Sequence, residues 1–386
     1  MGKRSFMRKI NNDNIKRVVL TGGPKGGKSS MIPYVKEIAE ERGIKVLIAS
    51  EAATARIIGG ISPASVGMIP FQEYVIELQM LDYAHMEKAA ESLLQEDKEA
   101  RILIIYDRGF LDEEAYVGEK EFLRLLDKYN LNRVVAGVEA YDLVVDMVTV
   151  GYGLPELFDN TNNEARYEST AEEACLLEDK IQRAWMDFEH FEIFSNRTDF
   201  ETKLKKATSA ILNLFDEPPI ENERKFLLLD YINIARLPKN TRSVDISQTY
   251  LKTEFGAERV RKRKVDDINS FYWTKKYQTS AGLAEKQRLI SEDSYSSFLE
   301  RKVGEELRKK RFCFAHDHVR MELDLFSNVF LGDISGYEFM NDTPLHLLEI
   351  EGLDVDNVTI PHYIGLYKEV TGDKRFSNSK LAYIAR

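Results

Sequence analysis

The sequence predicts two units of different class in tandem. The first is an α/β unit with a parallel sheet covered by helices on both faces, the second an antiparallel β tunnel or barrel with helices interposed. Three observations lead there. From residue 17 to about residue 215, apolar strand-length runs alternate with helix-length stretches, the pattern of a parallel sheet wound through crossovers. The double proline in Asp216-Glu217-Pro218-Pro219 then breaks that rhythm. Beyond it lie short runs alternating at period two, the texture of antiparallel strands. A chain of 386 residues also exceeds what one ordinary core fills. The expected boundaries are a basic tail over 1–14, a first unit over 15–216 and a second over 217–386.

In the first unit, strands are expected at 17–20, 45–49, 101–106, 143–150 and 191–194, with the longest helix over 71–95. The first strand runs into Gly22-Gly23-Pro24-Lys25-Gly26-Gly27-Lys28-Ser29, and a helical pattern of Met31, Val35, Ile38 and Ala39 follows. Gly22, four residues, Gly27, Lys28 and a hydroxyl is the spacing that wraps backbone N–H groups around the phosphates of a nucleotide. Residues 22–30 are therefore the expected nucleotide contact, with Ser30 opening the helix. Lys28 is placed to reach the terminal phosphates and Ser29 to hold Mg²⁺. The 101–106 strand ends in Asp107, a second acid suited to supporting that ion, and Arg108 follows it, suited to a phosphate or an ion pair.

Glu51, just past the 45–49 strand, suits the proton acceptor of a phosphoryl transfer or, equally, a helix-start acid before Ala52, with Arg56 in reach of the same cleft. Arg166, and Arg183 on the helix that follows, suit a lid over phosphates or, equally, a solvated charged helix. Gln72 and Gln79 lie two turns apart on one helix face and read as surface residues able to contact a base or an acceptor. Ser195-Asn196 stands where a nucleobase would lie.

In the second unit, strands are expected at 221–228, 244–252, 259–265, 271–279, 319–326 and 345–351, and a helix over 292–307. Glu221, Glu223 and Lys225 share one strand face by their spacing of two. The same one-face pattern recurs in Arg259, Arg261 and Arg263, in Tyr272, Thr274 and Lys276, in Lys309 and Arg311, in Glu322 and Asp324, and in Glu349 and Glu351. Charges gathered on one face suit a wet cavity that holds a polyphosphate and a divalent ion. Lys225, Arg259, Arg261, Lys276, Lys309 and Arg311 are the expected polyphosphate contacts. Glu221, Glu223, Glu349 and Glu351 are the expected ligands for Mg²⁺ or Mn²⁺, and Glu221, Glu223 and Lys225 are expected to take part in catalysis beside Glu51 and Asp107.

Net charge of −10 argues against broad nucleic-acid binding. Two distant cysteines, Cys175 and Cys313, argue against a disulfide framework or a zinc site. The absence of a membrane-length apolar run and of a signal-peptide pattern leads to the expectation of a cytoplasmic protein without a membrane span.

At the loop, Glu51-Ala52-Ala53, Phe71-Gln72, Tyr106-Asp107-Arg108-Gly109 and 163–168, the first unit resembles the AAA-type P-loop family related to small-nucleoside kinases such as the nicotinamide riboside kinase domain. The second unit resembles the CYTH, or triphosphate tunnel, family. The resemblance rests on the opening Glu-x-Glu-x-Lys, residues 245–251, the arginine strand, Leu348-Glu349-Ile350-Glu351 and the tail from Glu369 to Asn378. It implies an eight-stranded antiparallel barrel binding triphosphate-bearing substrates and divalent metal. Glu285-Lys286-Gln287 departs from it, because that family often has two acids two apart there. The two units together resemble the TRPL translocation defect protein family, which implies binding of GTP and phosphoinositide phosphates. ATP or GTP, a polyphosphate-bearing small molecule and a phosphoinositide headgroup are thus the expected partners, and hydrolysis of phosphoanhydrides the expected activity. The alternatives are binding without turnover in the tunnel, or a kinase reaction in the first unit.

Overall fold

Val18 and Leu20 project to one side of the first strand, Arg17 and Val19 to the other, and all four are buried, so both faces of this sheet must be covered. The computed structural model describes residues 9–10, 12–158, 170–216, 223–230, 232–254, 256–278, 283–340, 342–352 and 358–386. The chain divides into two compact units, Met1–Asp216 and Glu217–Arg386.

The sheet of unit 1 comprises β1 (Ile15–Thr21), β2 (Ile44–Ala49), β3 (Arg101–Asp107), β4 (Leu143–Met147) and β5 (Phe191–Phe194), all parallel, in the order β2-β3-β1-β4-β5. The helices are α1 (Lys28–Glu41), α2 (Ala52–Ile58), α3 (Pro63–Val66), α4 (Met68–Glu96), α5 (Glu114–Val117), α6 (Glu119–Lys128), α7 (Ala171–Trp185) and α8 (Phe200–Asn213). On one face, Met31, Val35 and Ala39 of α1 and Leu204, Ala207 and Ile211 of α8 pack on Val18, Leu20, Leu103, Ile105 and Val145. The other face is aromatic: Tyr83 of α4 stacks on Tyr106, and Tyr141 meets Tyr106 and Trp185 edge-on. Beneath this layer Arg17 is buried in a bidentate pair with Glu87 of α4 and donates to the Ile10 carbonyl, so the charge is matched where water is excluded.

Among its described residues, unit 2 is one antiparallel sheet of nine strands. They are β6 (Glu223–Leu228), β7 (Arg242–Leu251), β8 (Ala257–Val265), β9 (Ile268–Gln278), β10 (Leu283–Ile290), β11 (Lys302–His316), β12 (Val319–Phe330), β13 (Pro344–Glu351) and β14 (Tyr367–Glu369). They run in the order β10-β9-β8-β7-β11-β12-β13-β6-β14. Two short helices are α9 (Glu292–Leu299) and α10 (Asn378–Leu381). The expected helix over 292–307 is corrected: it stops at Leu299, and Lys302 starts β11. Ser291 caps α9 by accepting from the Ser294 amide, but beyond Leu299 the chain turns into the ladder with β7. The strands β10 and β14, and the part of β11 outside Lys309 and Arg311, go beyond those expected, and the described sheet has nine strands rather than eight.

Pairing fixes which side chains share a face. One face is apolar at Phe226, Leu228, Phe314, Met321, Leu323, Leu348 and Ile350, capped by Val358, Ile360 and Ile364. The opposite face is apolar at one end, where Leu227, Leu307, Phe326 and Leu347 enclose Phe376, Leu381 and Ala382. The rest of that face carries charged side chains interleaved with others, among them Val244 and Ile246 of β7 opposite Arg311 and Lys309.

Trp185 and Trp273 are the two tryptophans, one in each unit. In a Trp273→Phe background, Trp185 emission should follow unfolding of unit 1. Leu103→Ala should then cost about 2–5 kcal/mol in a denaturant titration, as expected for a fully buried leucine; an unchanged midpoint would contradict the packing described.

Two candidate phosphate sites

In unit 1 the chain leaves β1 into residues 22–27 and enters α1 at Lys28. Two glycines show why the loop has this composition. Gly27 has φ of 102°, the left-handed region, and a Cβ on Gly26 would lie 1.8 Å from the Met147 carbonyl oxygen. Lys28 donates to the carbonyls of Gly22 (2.8 Å) and Gly23 (2.9 Å). Burial, and then the neighbouring Arg108, push its pKa down to about 8. Ser29 and Ser30 are exposed at the start of α1, and Lys25 lies over the Phe158 ring. Gly22, Gly23 and Pro24 form the buried stem of the loop.

Register places Asp107 opposite Leu20, beside the loop. Burial pushes its carboxyl up, and its Oδ1 has no hydrogen-bond partner among the described residues. Arg108 has φ of 78°, which turns its guanidinium back to the Gly22 carbonyl (2.9 Å) and to Glu51 (3.1 Å). Glu51 also accepts from Thr54 (2.6 Å). Although burial pushes it the other way, Arg108 and that hydroxyl hold Glu51 below the usual carboxylate range. The structure thus brings residues 22–30, Glu51, Asp107 and Arg108 to one end of the sheet.

Three expectations change. Gln72 and Gln79 are buried, not on the surface, and Gln79 Nε2 donates to Glu113 (2.9 Å). The Asn196 amide is committed internally: it donates to the carbonyls of Thr149 and Tyr152 and accepts from Lys203, so it ties loops together and does not face a base. Arg183 is held by Glu114 and Glu119, both at 3.0 Å, and not poised over the loop. Arg166 and Glu221 lie outside the described residues.

The sequence reading missed the braces behind the loop. Glu178 of α7 accepts from the amides of Gly23 and Thr149, each at 2.8 Å. Asp146 lies beside it, accepts from Gln182 (2.8 Å), and is pushed well above the usual carboxylate range by burial and then by Glu178. Lys203 of α8 donates to the Gly26 carbonyl (3.1 Å), the Val148 carbonyl (2.8 Å) and Asn196. A signal was available, because Glu178 falls on the same helical stripe as the buried Ala174, Ile181 and Trp185.

In unit 2 the register aligns the charged face. Arg259, Arg261 and Arg263 of β8 lie opposite Thr274, Tyr272 and Ser270 of β9, and Lys276 lies opposite Ala257. Arg311 faces Asp324, Glu322 faces Glu349, and Glu349 faces Lys225. The cations there are paired with acids: Lys225 with Glu349 (2.9 Å), Arg311 with Asp324 (2.7 Å) and Glu349 (2.8 Å), Lys309 with Asp324, and Arg320 with Glu322 (2.6 Å). Burial opposes ionisation of Glu349, yet Lys225, Lys309 and Arg311 together hold it far below its ordinary range. Glu223 lies 3.5 Å from Lys225. Gln287 accepts from Arg261 and Thr274. Oxygen atoms of Glu322, Glu349 and Glu351 lie within 4.8 Å of one another. Glu322, expected only as a face-sharing acid, thus joins Glu349 and Glu351 as a possible ligand.

Residues 17–203 match the family model described as AAA domain. Two crystal structures of NE1496, one described as a hypothetical protein and one as an inorganic triphosphatase, are similar at 24% identity. They cover 43% of this chain and 99% and 97% of theirs, with TM-scores of 0.30 and 0.28. The PH1819 protein from Pyrococcus horikoshii OT3 is similar at 17% identity, over 37% of this chain and 82% of its own, with a TM-score of 0.24. No curated protein matches. No helix among the described residues is long and apolar enough to cross a membrane.

Burial pushes the Lys203 pKa down to about 8 in the folded chain, whereas an unfolded lysine titrates near ~10.4. Between these values the unfolded state binds more protons, so stability rises with pH across that window. Lys203→Met should lower the melting temperature at neutral pH by stranding three acceptors, and should flatten this rise relative to the wild type. Parallel pH profiles of the two proteins would count against the brace.

Proposed function

We propose that unit 1 binds GTP or ATP through residues 22–30. Unit 2 holds a polyphosphate with a divalent metal on its charged face and hydrolyses a phosphoanhydride bond. The observation that carries this is the register of unit 2, which gathers cations of β6, β8, β9 and β11 and acids of β12 and β13 on one face. Three convergent carboxylates, Glu322, Glu349 and Glu351, are the hard oxygen donors that Mg²⁺ or Mn²⁺ prefers. Such an ion would polarise a bound water for attack on phosphorus.

The side chains supply the rest. Lys225, Arg259, Arg261, Lys276, Lys309 and Arg311 offer donors to the anion, and the Lys225, Lys309 and Arg311 pairs with acids must exchange partners for that to happen. A cation that draws on Glu349 and Glu322 would loosen their hold on Lys225 and Arg311, so metal and polyphosphate should each strengthen binding of the other. Glu223 stands beside Lys225 at the rim, where it could assist either ligand.

A second reading is binding without turnover, of a phosphoinositide headgroup for example. It is favoured by Gln287, an amide engaged with Arg261 at a position where an acid would serve metal chemistry better.

Lys28→Ala should weaken nucleotide binding at least ~30-fold, the effect of truncating one partner of a buried charge contact. With tripolyphosphate and Mg²⁺ or Mn²⁺, Glu349→Gln and Glu351→Gln should each slow phosphate release at least ~10-fold while Lys28→Ala does not. Tight tripolyphosphate binding without release in the wild type would select the second reading; release lost only in Lys28→Ala would place all turnover in unit 1.

A further inference from the structure

Unit 2 carries an open pocket of about 420 Å³, lined by Leu229, Tyr337, Phe339, Met340, Lys368 and Arg375. Small-molecule sites commonly measure roughly 300–1,000 Å³ and combine apolar walls with a few polar groups, as this one does. The pocket is separate from the charged face. Lys225 and Leu227 of β6, and Leu229 just past its end, follow one another at a spacing of two, and Leu227 belongs to the apolar cluster that closes this end. Leu229 therefore lies roughly 13 Å along the strand from Lys225, with that cluster between them.

The aromatic part of the lining is half covered. Tyr337 is buried, whereas Phe339 is 80% exposed and stacks beside it, with ring centroids 6.4 Å apart. One exposed phenylalanine is ordinary on a protein surface. Here, however, the exposed ring shares a concavity with Met340, Leu229 and two cations.

The two cations are not equivalent. Arg375 is held by Asp373 (2.6 Å) and donates to the Ser335 carbonyl (2.6 Å). Lys368 has no ion pair among the described residues. Its ammonium donates to the Tyr337 hydroxyl (3.3 Å) and lies over the same ring, which leaves two N–H groups for a ligand.

These groups select complementary parts of one molecule. Phe339 and Met340 favour a flat apolar body, because covering them removes apolar surface from water and offers ring-to-ring contact. Lys368 favours one negative group, and Asp373 beside Arg375 repels a second.

We propose that this pocket is a further ligand site of unit 2, taking a free aromatic molecule that bears a single anionic group. The ring lies against Phe339, Met340 and Leu229, and the anion meets Lys368. The site depends neither on nucleotide at the phosphate loop nor on polyphosphate at the charged face.

The full chain would be titrated with 2-naphthoate and binding followed by saturation-transfer NMR. The expected Kd is about 1 mM or tighter, a usual strength for so small a ligand. Two analogues separate the contributions: 2-naphthamide keeps the ring without the charge, and cyclohexanecarboxylate keeps the charge without the flat ring. Each should bind at least about fivefold more weakly, as should 2-naphthoate to Phe339→Ala and to Lys368→Gln. Both side chains are exposed, so neither variant should lose melting temperature. Saturating tripolyphosphate should leave 2-naphthoate bound. Binding undiminished in either variant, equal binding of the amide, displacement by tripolyphosphate, or no binding up to about 10 mM overturns the site.

Discussion

A charge removed from water must be matched, and the second unit is organised by that requirement. Strand alternation sends every second side chain of β6, β11, β12 and β13 to the same face, and on that face Lys225, Lys309 and Arg311 meet Asp324 and Glu349. Isolated, each of these buried ions would be costly; joined, they form a lattice in which no single charge is stranded. The opposite face carries Phe226, Phe314, Met321 and Leu348 and supplies the hydrophobic association that the charged face cannot. The charged face is therefore tolerated because the apolar one holds the sheet.

The first unit obeys the same rule on a smaller scale. Lys28 donates to the carbonyls of its own loop, and Arg108 to one of them and to Glu51. The loop is held from behind by Glu178 and Lys203, which take opposite ends of its peptide dipoles: the carboxylate receives the Gly23 amide and the ammonium gives to the Gly26 carbonyl. The shape of the loop is thus held by side chains of α7 and α8.

Much of this was legible from residue order alone. The phosphate loop is a pattern of residue types at fixed spacing, and the charged face of unit 2 is a period of two, so both survive without knowledge of tertiary contacts. What depended on partners did not. Residues 302–307 look helical because Glu305, Glu306 and Leu307 are acceptable in a helix, yet pairing of Lys302, Val303 and Leu307 with β7 takes the segment into β11. Gln79 reads as a surface group and Asn196 as a base contact, although one is buried and donates to Glu113 and the other ties loops together. Glu322 joined the carboxylate trio only once the register set it against Glu349.

The position of β6 has a consequence for how the chain reaches this state. The first strand of unit 2 lies between β13 and β14, two of the last to be made. During synthesis its backbone groups on both edges, and Lys225 with them, wait for partners that emerge only after nearly the whole unit has left the ribosome. Pairings so distant in sequence carry a large loop-closure cost and slow folding. Unit 2 should thus assemble late and in one step, whereas β1 of unit 1 can find β3 within the first hundred or so residues.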